Sequence, residues 1–151
     1  MKHFIIDGNN LIGKIESLKR LHKKDNQQSR VKLAFMLERY FSKKKAYVEL
    51  FFDGFEKEKI KISGIKMFYS DASTADDLIR KRIEKSNNPK NLTVITSDRS
   101  LSEFAKVCGS RVISSEEYAQ QITSHPEIDE EKLKIDEQNN SDEFKKLFGI
   151  K

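Results

Sequence analysis

The 151 residues include one cysteine, six glycines, three histidines and no tryptophan, and nowhere a long apolar run. Each scarcity narrows the field. With Cys108 alone no internal disulfide can form, which suits a reducing cytosol. No run approaches the length needed to cross a bilayer, and Met1-Lys2-His3 leads straight into a predicted strand with no basic leader and apolar segment. The expected location is therefore cytoplasmic, with no membrane partner. Six glycines leave no Gly-rich linker, and the absence of a Gly-rich phosphate-cradling loop argues against a P-loop or dinucleotide-binding enzyme. His3, His22 and His125 are scattered without ligand spacing. Cys108 lies beside Val107 with no base nearby in sequence and reads as a packing residue.

Charge, by contrast, is plentiful, at 35% of residues against 36% hydrophobic. The net +5 conceals an asymmetry: residues 125–151 carry eight acids and five bases, leaving +8 on residues 1–124. A basic body suits a polyanionic partner such as RNA, although a generally Lys-rich composition accounts for the charge equally well. The same shift in composition divides the chain into a domain at 1–124 and an acidic tail at 125–151. Within the tail, Phe144, Leu147 and Phe148 share one side of a short amphipathic helix, expected to dock on its own domain or on a partner protein.

In the body, apolar runs bounded by turn residues predict buried strands at about 3–6, 46–52, 65–69, 92–96 and 111–113. Helical periodicity predicts helices at about 30–43, 73–85, 101–107 and 114–123, with the basic stretch 14–28 partly helical. In the first of these helices Val31, Ala34, Phe35, Leu37 and Phe41 form the expected apolar face. Such alternation implies right-handed crossovers and an α/β fold of three layers: a central parallel sheet of about five strands, helices on both faces, and the C-terminal helical tail.

Acids stand where such a fold gathers its chemistry. Phe4-Ile5-Ile6-Asp7, Phe51-Phe52-Asp53 and Val94-Ile95-Thr96-Ser97-Asp98 each end a strand with a carboxylate, and Ala75-Asp76-Asp77 opens a helix. Groups outside the carboxyl ends of parallel strands converge on one crevice. Crowded carboxylates repel unless a cation lies between them, and hard oxygen ligands select Mg²⁺ or Mn²⁺. This is the layout of a metal-dependent nuclease.

Ordinary structure competes for each motif. Asp7-Gly8-Asn9-Asn10 is also good turn chemistry, with Gly8 permitting a tight turn and Asn10 placed to fix Asp7 or touch a phosphate. Thr74 as N-cap makes Asp77 the acid at the third helical position of a capping-box arrangement, which leaves Asp76 as the stronger ligand candidate and Asp77 as the weaker. Ser100 with Glu103 forms a capping box, which leaves Asp98 free of capping duty. Thr96, Ser97 and Arg99 offer hydroxyls and a cation to phosphates. Arg80, Lys81, Arg82 and Lys85 follow the acid pair on the same helix and form a candidate RNA path, against the alternative of a solvated face.

Taken together, Ile5-Ile6-Asp7-Gly8-Asn9-Asn10-Leu11-Ile12, Phe51-Phe52-Asp53-Gly54, Thr74-Ala75-Asp76-Asp77-Leu78-Ile79 and Val94-Ile95-Thr96-Ser97-Asp98-Arg99 resemble the NYN domain, in particular its YacP-like bacterial branch within the PIN-like nuclease group. The resemblance spans about residues 3–120. It implies a metal-dependent endoribonuclease in which Asp7, Asp76 and Asp98 match the metal-binding acids, and Asn10 and Asp53 match accessory polar positions. Position 9 is Asn where family members often carry an aromatic residue. The branch includes a ribosome-associated RNA-decay nuclease, so the resemblance also suggests a ribosomal partner. The rival expectation is a catalytically silent RNA-binding or ribosome-docking module.

Overall fold

The computed structural model describes residues 1–124; the tail helix and its docking lie outside the described residues. Five strands, β1 (Lys2–Asp7), β2 (Ala46–Phe52), β3 (Ile65–Tyr69), β4 (Leu92–Ile95) and β5 (Arg111–Ile113), form one sheet in the order β3-β2-β1-β4-β5. Every pairing is parallel. The helices are α1 (Gly8–Ile12), α2 (Glu16–Lys24), α3 (Asn26–Phe41), α4 (Ala75–Glu84), α5 (Arg99–Val107) and α6 (Ser115–Thr123), with a 3₁₀ turn at Pro89–Asn91. The α/β fold with a five-stranded parallel sheet is as the sequence predicts. Among the described residues no helix is long and apolar enough to cross a membrane.

Both faces of the sheet are covered, which is why its central strands read as unbroken apolar runs. Adjacent residues of β1 point into different cores: Ile6 packs with Leu11, Leu18, Leu33, Leu37 and Tyr118 under α1, α2, α3 and α6. Ile5 packs with Ile79, Ile83, Leu101 and Ala105 under α4 and α5. Both are wholly buried, and such a side chain contributes about 2 kcal/mol by leaving water. An acid enters this interior together with its partners. Glu49 of β2 is 3% exposed and meets His3 Nε2 at 2.7 Å and Arg82 Nε of α4 at 2.8 Å.

Local capping follows the sequence in two helices and departs from it in a third. Thr74 Oγ1 accepts from the Asp77 amide and Ser114 Oγ from the Glu117 amide, both at 3.1 Å. Gly109, at φ +95°, supplies the left-handed residue after α5. The expected Ser100–Glu103 box does not form at the start of α5. Asp98 is the N-cap instead, its Oδ1 accepting from the Leu101 amide at 2.8 Å. Helix α3 begins four residues before its predicted start because Asp25 caps it, accepting from the Gln27 and Gln28 amides. Phe35, assigned to the apolar face of that helix, is 40% exposed.

The motif at Asp7-Gly8 is also a correction. The chain does not turn there; it enters α1 directly. Gly8 is required by close approach, since a Cβ at that position would lie 2.6 Å from the Phe52 ring and 2.7 Å from the Phe51 carbonyl oxygen of β2. Any side chain would push β1 and β2 apart just below Asp7.

Candidate active site at the β1–β4 switch point

The chain winds outward from β1 through β2 to β3, then returns to the other side of β1 to place β4 and β5. The carboxyl ends of β1 and β4 therefore flank the point where the winding reverses, the usual crevice for ligands in an open α/β sheet. Ile6 pairs with Ile95 in register, so the next residues, Asp7 and Thr96, emerge side by side.

Asp7 is 8% exposed, and its Oδ2 accepts from Thr96 Oγ1 at 3.0 Å. Burial pushes its carboxyl up to about 6, with the charges of Asp53 and Asp76 adding to the rise, while Thr96 and the Asn10 backbone pull the other way. Asp7 thus faces two other acids. Thr96 is fixed in turn, because the same hydroxyl accepts from the Asp98 amide at 3.1 Å.

The remaining acids are held by elements that start at the crevice. Asp53, past the end of β2, accepts the Ala75 amide at 2.8 Å on Oδ1 and so ties β2 to the first turn of α4. Its own amide donates to Asn9 Oδ1 at 2.9 Å. Asp76 lies one residue further along α4 and takes Arg80 Nε at 2.5 Å. Asp77 points elsewhere, accepting from Ser73 Oγ at 2.9 Å. Arg80 also donates to Ser100 Oγ at 2.8 Å and lies over the Phe104 ring at 5.1 Å. The bond to Asp76, with the charges of Asp76, Asp98 and Asp77, raises its pKa. Asp76 is therefore the acid common to two neighbourhoods, one centred on Asp7 and one on Arg80.

Asn10 and Ser97 serve the scaffold. Asn10 Oδ1 accepts from the Ser97 amide at 2.9 Å and from Ser115 Oγ at 2.6 Å, bolting α1 to the end of β4 and the start of α6. Ser97 Oγ accepts from the Ser115 amide at 2.8 Å and donates to Glu116, and this bond holds the Glu116 carboxyl below its usual range. Lys14 reaches the same carboxylate at 3.5 Å. Of the four residues expected to line an RNA path on α4, Arg80 and Arg82 are turned to Asp76 and Glu49, whereas Lys81 and Lys85 are exposed, as is Arg99.

Two participants escaped sequence reasoning. Asn9 positions Asp53 from 44 residues away in sequence, so only the fold reveals the link. Arg30 is 4% exposed and donates from Nη2 to the Asp53 carbonyl at 2.5 Å; its place inside an otherwise helical pattern gave no signal.

A divalent cation fits this chemistry. No group of three His, Cys, Asp or Glu side chains among the described residues forms a ready cage. Mg²⁺, however, commonly takes one or two protein carboxylates and completes its octahedron with water and substrate phosphate. A buried carboxyl that faces two further acids, with a hydroxyl as its side-chain partner, is suited to that role. A separate cavity of about 350 Å³, lined by Lys2, Phe4, Tyr40, Lys45 and Arg111 among others, lies toward the opposite ends of the strands and shares no residue with the acids.

Residues 4–148 match the YacP-like NYN domain. Among solved structures, Rae1 (YacP) from Bacillus subtilis is similar with a TM-score of 0.71 and 25% identity, over 99% of this chain and 93% of that one. A tryptophan-to-leucine mutant of the same Bacillus subtilis protein gives 0.68 and 23%, over 82% and 76%. No curated protein matches the chain.

Proposed function

From the premise that this chain belongs to the YacP-like NYN domain family, of the PIN-like nuclease group, we propose that it is a metal-dependent endoribonuclease. The observation that carries the reading is Asp7: a carboxyl buried at the switch point, pushed up to about 6 and facing Asp53 and Asp76. A cation among these acids would offset the cost of keeping that buried charge. Asp7 and Asp76 would hold Mg²⁺ or Mn²⁺, with Asp53 beside them and Asp98 at the rim. A bound divalent ion supplies a water of lowered pKa and a Lewis acid for the phosphodiester oxygens.

The chain's own residues do the rest. Thr96 orients the Asp7 carboxylate through its hydroxyl. Asp53 ties the end of β2 to the first turn of α4, next to Asp76, and Asn9 ties α1 to the same loop. Arg80 pairs with Asp76 and balances the charge of the acids until substrate arrives. Lys81, Lys85 and Arg99 receive the RNA backbone. A ribosomal partner belongs to this same reading on the strength of the family resemblance, and a cytoplasmic setting on the lone cysteine.

The test is cleavage of an end-labelled RNA in Mg²⁺, in Mn²⁺ and in chelator. Cleavage that requires the metal and disappears in Asp7→Asn and Asp76→Asn, each folded as the parent, supports the reading. Metal-dependent cleavage retained in both variants overturns it. One observation favours a second reading: Arg80 holds Asp76 in an ion pair, so the cation these acids need could already be built in. A silent RNA-binding module of that kind binds RNA equally in chelator and Mg²⁺ and leaves it uncut.

A further inference from the structure

The loop after β2 is pinned at its first three residues and again at Lys57. Asp53 is tied through its amide, its carboxylate and its carbonyl, to Asn9, Ala75 and Arg30. The Gly54 amide donates to Ser70 Oγ at 2.9 Å, and its carbonyl accepts from the Asp71 amide at 2.8 Å. Arg30 Nη1 donates to the Phe55 carbonyl at 2.9 Å, and Lys57 Nζ donates to Asn26 Oδ1 at 2.7 Å. The Arg30 guanidinium is itself seated against two rings, 5.5 Å from Phe52 and 5.3 Å from Tyr69. Gly54 at φ +89° allows the bend that brings these bonds together.

In the middle of this loop the Phe55 ring is 61% exposed. A phenyl group is favoured by burial, and a loop able to rearrange would fold it inward. Here the backbone is fixed from Asp53 through the Phe55 carbonyl, so the ring is held out in water two residues from Asp53, one of the acids that act on Asp7. Its loop leaves the carboxyl end of β2, the edge of the sheet from which Asp7 emerges.

We propose that Phe55 is a stacking platform for one base of single-stranded RNA beside the scissile phosphate. This rests on the nuclease reading and names the strand state of its substrate. A planar π-face is the partner an isolated ring accepts, whereas a protein partner needs a continuous apolar patch. The other exposed large hydrophobics among the described residues, Met1, Phe35, Tyr47 and Val107, stand on other elements. The flanking rim alternates Glu56 and Glu58 with Lys57, Lys59 and Lys61, all exposed, so it adds no apolar neighbour. Duplex RNA keeps its base faces stacked on one another and cannot offer one to the ring.

The experiment uses the full chain carrying Asp7→Asn, so that RNA stays intact, and a single-stranded oligoribonucleotide containing 2-aminopurine. Stacking on Phe55 quenches the fluorophore. Adding Phe55→Ala weakens binding about tenfold and removes the quench, Phe55→Tyr keeps both, and Phe55→Leu loses the quench despite its apolar bulk. Because the ring is exposed, each variant melts as its parent. Unchanged affinity and quench in Phe55→Ala, or a quench retained in Phe55→Leu, overturns the platform while the nuclease reading stands. If the parent binds no single-stranded RNA and the wild-type chain cuts none, both fall together.

Discussion

Two carboxyl groups are buried in one sheet at nearly the same depth, and they are treated in opposite ways. Glu49, 3% exposed, is met by Arg82 and His3, so its charge is answered from within the chain. Asp7, 8% exposed, receives a hydroxyl from Thr96 and faces Asp53 and Asp76, so its charge is opposed. Buried charges in a finished scaffold are paired. A buried acid left facing other acids marks the place where something from outside must complete the set, and residues that serve function in this way are expected to cost stability.

The comparison is broken most severely by exchanging the charge at Asp7. Asp7→Asn retains an oxygen for the Thr96 hydroxyl and should fold, yet RNA cleavage should fall by more than about a hundredfold, beyond what loss of a merely supporting group costs. Single-turnover cleavage at saturating protein measures it. Glu49→Gln in the same assay should cleave at the parental rate per folded molecule. A comparable loss in both variants would erase the distinction between the two acids.

The pH dependence of stability separates them next. The Asp7 carboxyl titrates near 6 in the folded chain against an ordinary 3.8. Between those values the folded state keeps a proton that the unfolded chain has released, so this group's contribution is most favourable below about pH 4 and declines as pH rises. It levels off above pH 6, lower by about 3 kcal/mol. Asp7→Asn should therefore melt higher than the parent at pH 8, and the gap should close toward pH 4. Mg²⁺ or Mn²⁺ should raise the parental melting temperature at pH 8 and leave that of Asp7→Asn unmoved. A parent equally stable relative to the variant at both pH values would count against the opposed-acid account.

Glu49 gives a smaller effect of the opposite kind. Glu49→Gln leaves Arg82 and His3 without their anion, and breaking a buried pair from one side costs about 3 kcal/mol or more. Arg82 is about a third exposed, so water takes part of the loss and about 2 kcal/mol is expected, several degrees of melting temperature. Denaturant titration checks it. A variant as stable as the parent would mean that the pair contributes nothing net to the fold.

What the amino-acid order conveyed about these regions follows from physics. Strand and helix identity were readable because a sheet covered on both faces demands unbroken apolar runs, as at Ile5-Ile6 and Val48 to Phe52. The acids at strand ends were visible for the same reason. Side-chain direction was not, because it is set by partners remote in sequence: Arg82 looks like a surface cation until β2 presents Glu49, 33 residues away. Asp98 looked free of capping because Ser100 and Glu103 matched a local pattern, yet the amide it caps and the hydroxyl that receives its own amide belong to one turn with Thr96. Gly8 suggested a turn because the approach of Phe52 is a tertiary fact.

The smallest effect sharpens the comparison at the surface. Arg80 and Arg82 are engaged by acids, so the outward charge of α4 reduces to Lys81 and Lys85, which are exposed. Lysines that neutralise phosphates contribute through counterion release, about one ion per contact, and hence through the salt dependence of binding. Lys81→Ala with Lys85→Ala should weaken RNA binding a fewfold at moderate salt and lower the slope of log affinity against log salt by roughly one to two. Stability should be unchanged, because neither side chain is buried. Arg82→Ala should do the reverse, lowering stability through Glu49 with the salt slope preserved. If Arg82→Ala instead removes a unit of slope and leaves stability intact, the arginine faces RNA in solution, and Glu49 would then have His3 as its partner in place of the pair.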